Sequence, residues 1–146
     1  LQYPEDAEEH MEEIRQAMAP FQPENVYGNR TIGKYHLEHV WMQFHQHWTM
    51  RKSNGSRLRD VFGPYVPIFT HFVEPWFVAK PNGRFIYPTG FWETLRRVLR
   101  KDVPYITASA SDTGLTGRSG ADNVNISELA NVLVLSGGGY GHVPVP

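Results

Sequence analysis

The chain has 146 residues, with 14 Lys+Arg against 15 Asp+Glu, a formal net charge of -1, and 40% hydrophobic residues. That length suits one domain with a real core, and the near-neutral charge gives no basis for nucleic acid or an acidic membrane as partner. The absence of cysteine excludes a disulfide framework and thiolate chemistry, and no apolar run nears the roughly 20 residues of a bilayer span.

The chain opens on Leu1 rather than Met, without a signal-like segment, and reads as processed or excised. Residues 4–19 predict an amphipathic helix. Ala7, Met11, Ile14 and Met18 share one face, acidic residues crowd the first turns, and Pro20 and Pro23 stop it. Residues 34–50 predict a second helix, with Leu37, Val40, Trp41, Phe44 and Trp48 as its apolar stripe. His36, His39, His45 and His47 lie on it, but no two are four apart, so no metal site is expected. Residues 51–60 read as a polar, basic surface loop. In Tyr65–Val73, a strand-like run that includes His71, Pro67 implies a strand end or an unpaired edge.

Pro81-Asn82-Gly83 marks a turn before a short strand, Arg84–Tyr87. Thr89 then caps a helix over 91–101, burying Trp92, Leu95, Val98 and Leu99 and gathering Arg96, Arg97, Arg100 and Lys101 at its end. The last third holds two short apolar runs, Pro104–Ser109 and Asn131–Ser136, each leading into small polar residues or glycines. Such runs suit strands of a parallel sheet covered by helices. The expected fold is therefore α/β, a Rossmann-like lobe with a mostly parallel sheet flanked by helices. Ligands in such folds sit beyond the carboxyl ends of the strands.

Asp112, just past the first of these runs, is the best single polar candidate there. The segment Gly137–Gly141 lacks the features of a dinucleotide or phosphate loop, since Val143-Pro144-Val145-Pro146 cannot open a helix. Its functional reading is a cleft lining that turns Tyr140 and His142 inward. Asn29-Arg30-Thr31, Asn54-Gly55-Ser56 and Asn125-Ile126-Ser127 are N-glycosylation acceptor sequences. About one would arise by chance among seven asparagines. The excess points to the secretory-pathway lumen or the extracellular space, with Asn29, Asn54 and Asn125 as modification sites.

The order of these elements resembles the exostosin-like glycosyltransferases. Tyr35-His36-Leu37-Glu38, on a helix running to Arg51, is similar to that family's helix with an early Tyr and Glu. Tyr65–Phe69 resembles its apolar strand closing in a Val-Pro pair. Arg100–Thr107 followed by Asp112-Thr113-Gly114 resembles its Gly-Arg-Asp-His-Phe strand and downstream Asp-x-Gly, and Asn131–Leu135 and His142–Pro146 resemble its next strand and the start of its second half. Lys52, Leu99 and Val103 depart from the family's residues, and the spacing from Asp102 to Asp112 is about two residues longer than the family's.

The resemblance implies an acceptor-side lobe over 27–146, preceded by a helix and linker over 1–26. The nucleotide-sugar donor would bind in a missing C-terminal lobe, so no cofactor is expected in this one. Localisation would be the Golgi lumen. The partner would be a glycan acceptor, possible further partners being other protein subunits. His71, Asp112, Tyr140 and His142 would face the cleft at strand ends, binding the acceptor or helping deprotonate its hydroxyl, with the base unassigned among them. A second reading is a non-catalytic glycoprotein module of an extracellular assembly. A third, a small hydrolase, would draw two carboxylates from Glu74, Glu93, Asp102 and Asp112.

Overall fold

A computed structural model of the chain describes residues 1–22, 36–72, 87–109, 129–137 and 143–144. The helices are α1 (Ala7–Met18), α2 (His36–Lys52), α3 (Leu58–Phe62) and α4 (Phe91–Val98). The strands are β1 (Val66–Pro67), β2 (Tyr105–Ser109), β3 (Val132–Ser136) and β4 (Val143–Pro144). They lie in the order β1-β2-β3-β4, every pair parallel. The architecture is thus a Rossmann-like parallel α/β arrangement packed against helices, as the two apolar runs predict. β1 to β3 form its three-stranded body. β4 adds two residues at the far edge, pairing Val143 with Leu135 and Pro144 with Ser136.

Both apolar runs become central strands, with Tyr105, Ala108, Val132 and Val134 at 3% exposure or less. Pro67 sits in the edge strand. The Val66 N–H donates to the Pro104 carbonyl at 2.9 Å and the Ile68 N–H to the Ile106 carbonyl at 2.8 Å. In this alternation residue 67 faces away from β2, where a missing N–H costs no ladder bond. Ala7, Met11, Ile14 and Met18 of α1 are all buried in the hydrophobic core, and the helix passes into a 3-10 turn, Ala19–Phe21, at Pro20.

Four expectations are corrected. On α2 the residues turned inward are Glu38, Trp41 and Trp48, whereas Val40 and Phe44 are exposed. Positions 38, 41, 45 and 48 make the inward stripe, and a carboxylate occupies one of them. Residues 58–62 are helical rather than loop, with the Asp60 carboxylate accepting the Arg57 N–H at 2.9 Å. The cap of α4 is Gly90, at φ +86°, where a residue with a side chain would be strained; it is not Thr89. That helix also ends at Val98, because Leu99 is extended and the Arg100 N–H is taken by the Tyr105 hydroxyl. The Arg84–Tyr87 strand falls outside the described residues except Tyr87, which is not in a strand.

The amino end of the sheet is closed by a polar relay. The Arg100 N–H donates to the Tyr105 hydroxyl at 2.8 Å, and that hydroxyl lies 2.6 Å from Nε2 of buried His10. His10 Nδ1 lies 3.0 Å from Glu13. A phenol that donates to Nε2 leaves Nδ1 as the imidazole donor toward Glu13, so each group has its complement. Asn131 fastens the same end, donating to the Arg100 and Val103 carbonyls at 2.8 and 2.7 Å. Arg100 also pairs with Asp6 through both guanidinium ends, and this holds the Asp6 carboxyl below its usual range. One member of the basic cluster is therefore committed to an internal contact.

Burial pushes the Tyr105 phenol up from 10.0 to about 12, against an opposing pull from Arg100. The folded chain then binds more protons than the unfolded chain between those values. Its contribution is complete below about pH 10 and is lost as pH rises toward about 12, a swing of roughly 3 kcal/mol. Tyr105→Phe is expected to flatten that alkaline decline. At neutral pH it should cost about 1–3 kcal/mol, because His10 Nε2 and the Arg100 N–H lose their partner. Urea unfolding at pH 8 and pH 11 measures both effects. An alkaline decline as steep in the variant as in the parent would contradict this assignment.

Candidate functional site

The polar residues at the carboxyl end of β1 come from three separate segments. Thr70 and His71 follow the strand, Gln22 follows the 3-10 turn, and Glu38 lies in the first turn of α2. Gln22 bridges the elements. Its amide nitrogen donates to the Met18 carbonyl at 3.1 Å and to Thr70 Oγ1 at 2.6 Å, and its amide oxygen accepts the His71 N–H at 2.8 Å. Glu38 Oε2 accepts the Phe72 N–H at 3.1 Å and stands 3.7 Å from His71 Nδ1. Side chains thus fix the consecutive peptides 71 and 72, and the imidazole is held against a carboxylate. Thr107 Oγ1 and Trp41 Nε1 both donate to the Ile68 carbonyl, fixing the strand's exit one turn earlier.

The pair is deeply placed. Glu38 is fully buried and His71 is 7% exposed. A carboxylate taken out of water needs hydrogen-bond donors to offset its desolvation; the Phe72 N–H supplies one, and the His71 ring stands 3.7 Å away without a hydrogen bond from its Nδ1 among the described residues. Burial raises the Tyr87 phenol well above its ordinary value, and the Glu38 charge adds to the shift, so Tyr87 stays a neutral neighbour of the carboxylate. Beyond it, Phe72, Phe91 and Trp92 form an aromatic cluster with Tyr87, at centroid separations of 4.7–6.1 Å. The Trp92 Nε1 is buried with no hydrogen-bond partner among the described residues.

Of the four expected cleft residues, His71 lies at this strand end, while Asp112, Tyr140 and His142 fall outside the described residues. Ser109 and Ser136, the last residues of β2 and β3, extend the carboxyl edge and are fully buried. The strands run in sequence across the sheet, so no reversal of strand order marks a crevice among them. The described carboxyl edge is a closed polar seam centred on Glu38 and His71. Glu38 is not among the site residues expected from the sequence, because hydrophobicity alone defines an apolar stripe on α2. Its spacing of three and seven from Trp41 and His45 was the available signal.

Among the carboxylates considered for hydrolysis, Glu93 and Asp102 are exposed; Glu74 and Asp112 lie outside the described residues. Asp102 belongs to the amino end of β2, where its carbonyl accepts the Gln2 N–H. No group of three or more His, Cys, Asp or Glu suited to a metal occurs among the described residues, and no described helix is long and apolar enough to cross a membrane. His39 bonds Gln43, and His45 packs on Phe69 and meets Glu12.

Asn54 occupies an exposed turn after α2. Its N–H donates to the Arg51 carbonyl and that of Gly55 to the Lys52 carbonyl, each at 3.0 Å, with Gly55 at φ +83°. Asn29 and Asn125 lie outside the described residues. No protein-family model, curated protein or solved structure matches the chain.

Proposed function

We propose that this chain is the acceptor-side lobe of a glycosyltransferase of the secretory pathway, acting with a donor-binding lobe that holds the nucleotide sugar. The observation that carries this reading is the Glu38–His71 pair, 3.7 Å apart at the carboxyl end of a parallel strand. Further support comes from an order of elements that resembles the exostosin-like enzymes and from the three glycosylation acceptor sequences.

In this reading Nδ1 of His71 faces Glu38, and Nε2 receives the acceptor's proton. The acceptor oxygen bonds to the anomeric carbon as the bond from that carbon to the nucleotide breaks. The nucleotide leaves with the electron pair. Glu38 positions the imidazole and stabilises the imidazolium that forms, as a carboxylate does behind a general base.

The test is a sugar-transfer assay on protein purified from its natural source, with peptide mapping past Pro146. The expected result is peptides from a second lobe and transfer that falls about 10²–10⁴-fold in His71→Gln. Transfer at the parent rate in that variant would overturn the role of His71. Turnover by the 146-residue chain alone would overturn the division between lobes.

The burial of the seam favours a second reading, a non-catalytic glycoprotein module. Thr70, Ser109 and Ser136 are fully buried, and Gln22 already engages Thr70 and the His71 N–H. A polar edge bonded in this way serves to fix the fold. Natural-source protein with no transfer activity, and with unchanged glycan binding in His71→Gln, would select it.

A further inference from the structure

A groove of about 280 Å³ runs between the second half of α2 and α3, away from the Glu38–His71 seam, and Asn54 lines it. Buried Trp48 and half-buried Val61 contribute its apolar base; Phe44, His47 and Met50 line the rest with Arg51. Phe44 and Met50 are 40% and 62% exposed, and Val40, one turn before Phe44, is 44% exposed. Phe44 and His47 meet edge to face at 6.1 Å.

We infer that this groove is occupied by the first N-acetylhexosamine of a glycan linked to Asn54. The inference rests on the secretory reading above. Asn54-Gly55-Ser56 is an acceptor sequence, and its asparagine lies in an exposed turn on the groove itself, so the sugar would be delivered there by its own covalent bond. In N-glycosylation the amide nitrogen of Asn54 displaces the lipid pyrophosphate of an activated oligosaccharide, which leaves with the electron pair while the amide loses one proton. A pyranose ring has apolar C–H faces that pack on aromatic and thioether groups and hydroxyls that remain in water. The groove offers an aromatic and methionine wall, with Arg51 among its lining residues. Its volume is near the lower limit of small-ligand sites and matches a single sugar ring better than a long glycan. The glycan would then cover apolar surface that the polypeptide leaves exposed.

The test uses the full chain secreted from a eukaryotic host, with peptide mapping of all three acceptor sites and peroxide oxidation of Met50 as the readout. The comparison is between glycan trimmed to one N-acetylglucosamine and the variants Asn54→Gln and Ser56→Ala, both of which remove the acceptor sequence. The trimmed glycoform is expected to oxidise at Met50 about threefold or more slowly than either variant, since sulfoxide formation follows exposure. Met11 and Met18, both buried, serve as controls. An occupied Asn54 with Met50 oxidising as fast as in the variants overturns the inference. An unmodified Asn54 beside an occupied Asn29 or Asn125 overturns it alone and leaves the secretory reading intact. Three unmodified asparagines overturn both.

Discussion

Glu38→Ala is expected to lower the unfolding free energy by about 3–5 kcal/mol, the scale of breaking a buried ionic contact by deleting one partner. Glu38 is fully buried, and its Oε2 serves both the Phe72 N–H and the His71 ring. Alanine strands a buried N–H donor, withdraws the charge beside the imidazole and leaves a cavity, three penalties of the same sign. Glu38→Gln separates them. Its amide oxygen can still accept the Phe72 N–H and its volume is nearly the same, so only the charge is lost and about 1–2 kcal/mol is expected to go. Urea denaturation of the three proteins gives the comparison. Equal losses for the two variants would mean that the carboxylate charge dominates. A loss under about 1 kcal/mol for alanine would mean that Glu38 is not the strut described here.

Phe69→Ala is the second large effect, with an expected loss of about 3–5 kcal/mol. Phe69 is 1% exposed, two residues past β1, where the strand meets α2 and α3. Its ring lies 5.3 Å from that of Trp41, 5.3 Å from His45 and 5.7 Å from Phe62. Trp41 also donates to the Ile68 carbonyl, so a void at position 69 loosens the residue that fixes the strand's exit. Phe69→Leu retains most of the apolar contact and is expected to lose about half as much. Thermal unfolding followed both by tryptophan emission and by backbone circular dichroism distinguishes a local from a global effect. A leucine variant as unstable as the alanine variant would point to aromatic geometry rather than filled volume.

What the sequence disclosed follows from which forces are periodic. Ala7, Met11, Ile14 and Met18 form one helical face, and all four are buried, because the placement of an amphipathic helix is decided by its apolar side. The two apolar runs became the sheet's centre for the same reason. The edge position of β1 was readable from Pro67, whose missing N–H forbids a central strand. Hydrophobicity alone rotates the α2 stripe toward Val40 and Phe44. The observed rotation instead satisfies Glu38 through the Phe72 N–H, a contact 34 residues apart that no local pattern encodes. The short helix after Arg57 and the early stop of α4 depend instead on side-chain bonds to backbone N–H groups within five residues. A carboxylate satisfies the N-terminus of the first, and Tyr105, five residues further on, takes the N–H of Arg100 beyond the end of the second.

The candidate site was legible to the extent that one expected residue, His71, stands at a strand's carboxyl end. Its partners Glu38 and Gln22 come from before the strand and are joined to it only by folding. The opposite end of the sheet carries an equally polar set, His10, Tyr105 and Asn131, whose bonds are internal. Sequence composition does not separate the two ends. The direction of the strands does.

That contrast supplies the most direct measurement. The chain labelled with ¹³C in its histidine rings is titrated with a neutral and a uronate-containing oligosaccharide, and the ring resonances of His71 and His10 are followed. An acceptor lobe using the carboxyl end of β1 predicts saturable shifts at His71, abolished in Glu38→Gln, and an unmoved His10. Shifts confined to His47 in the α2–α3 groove, or no shift with either sugar, would contradict the account.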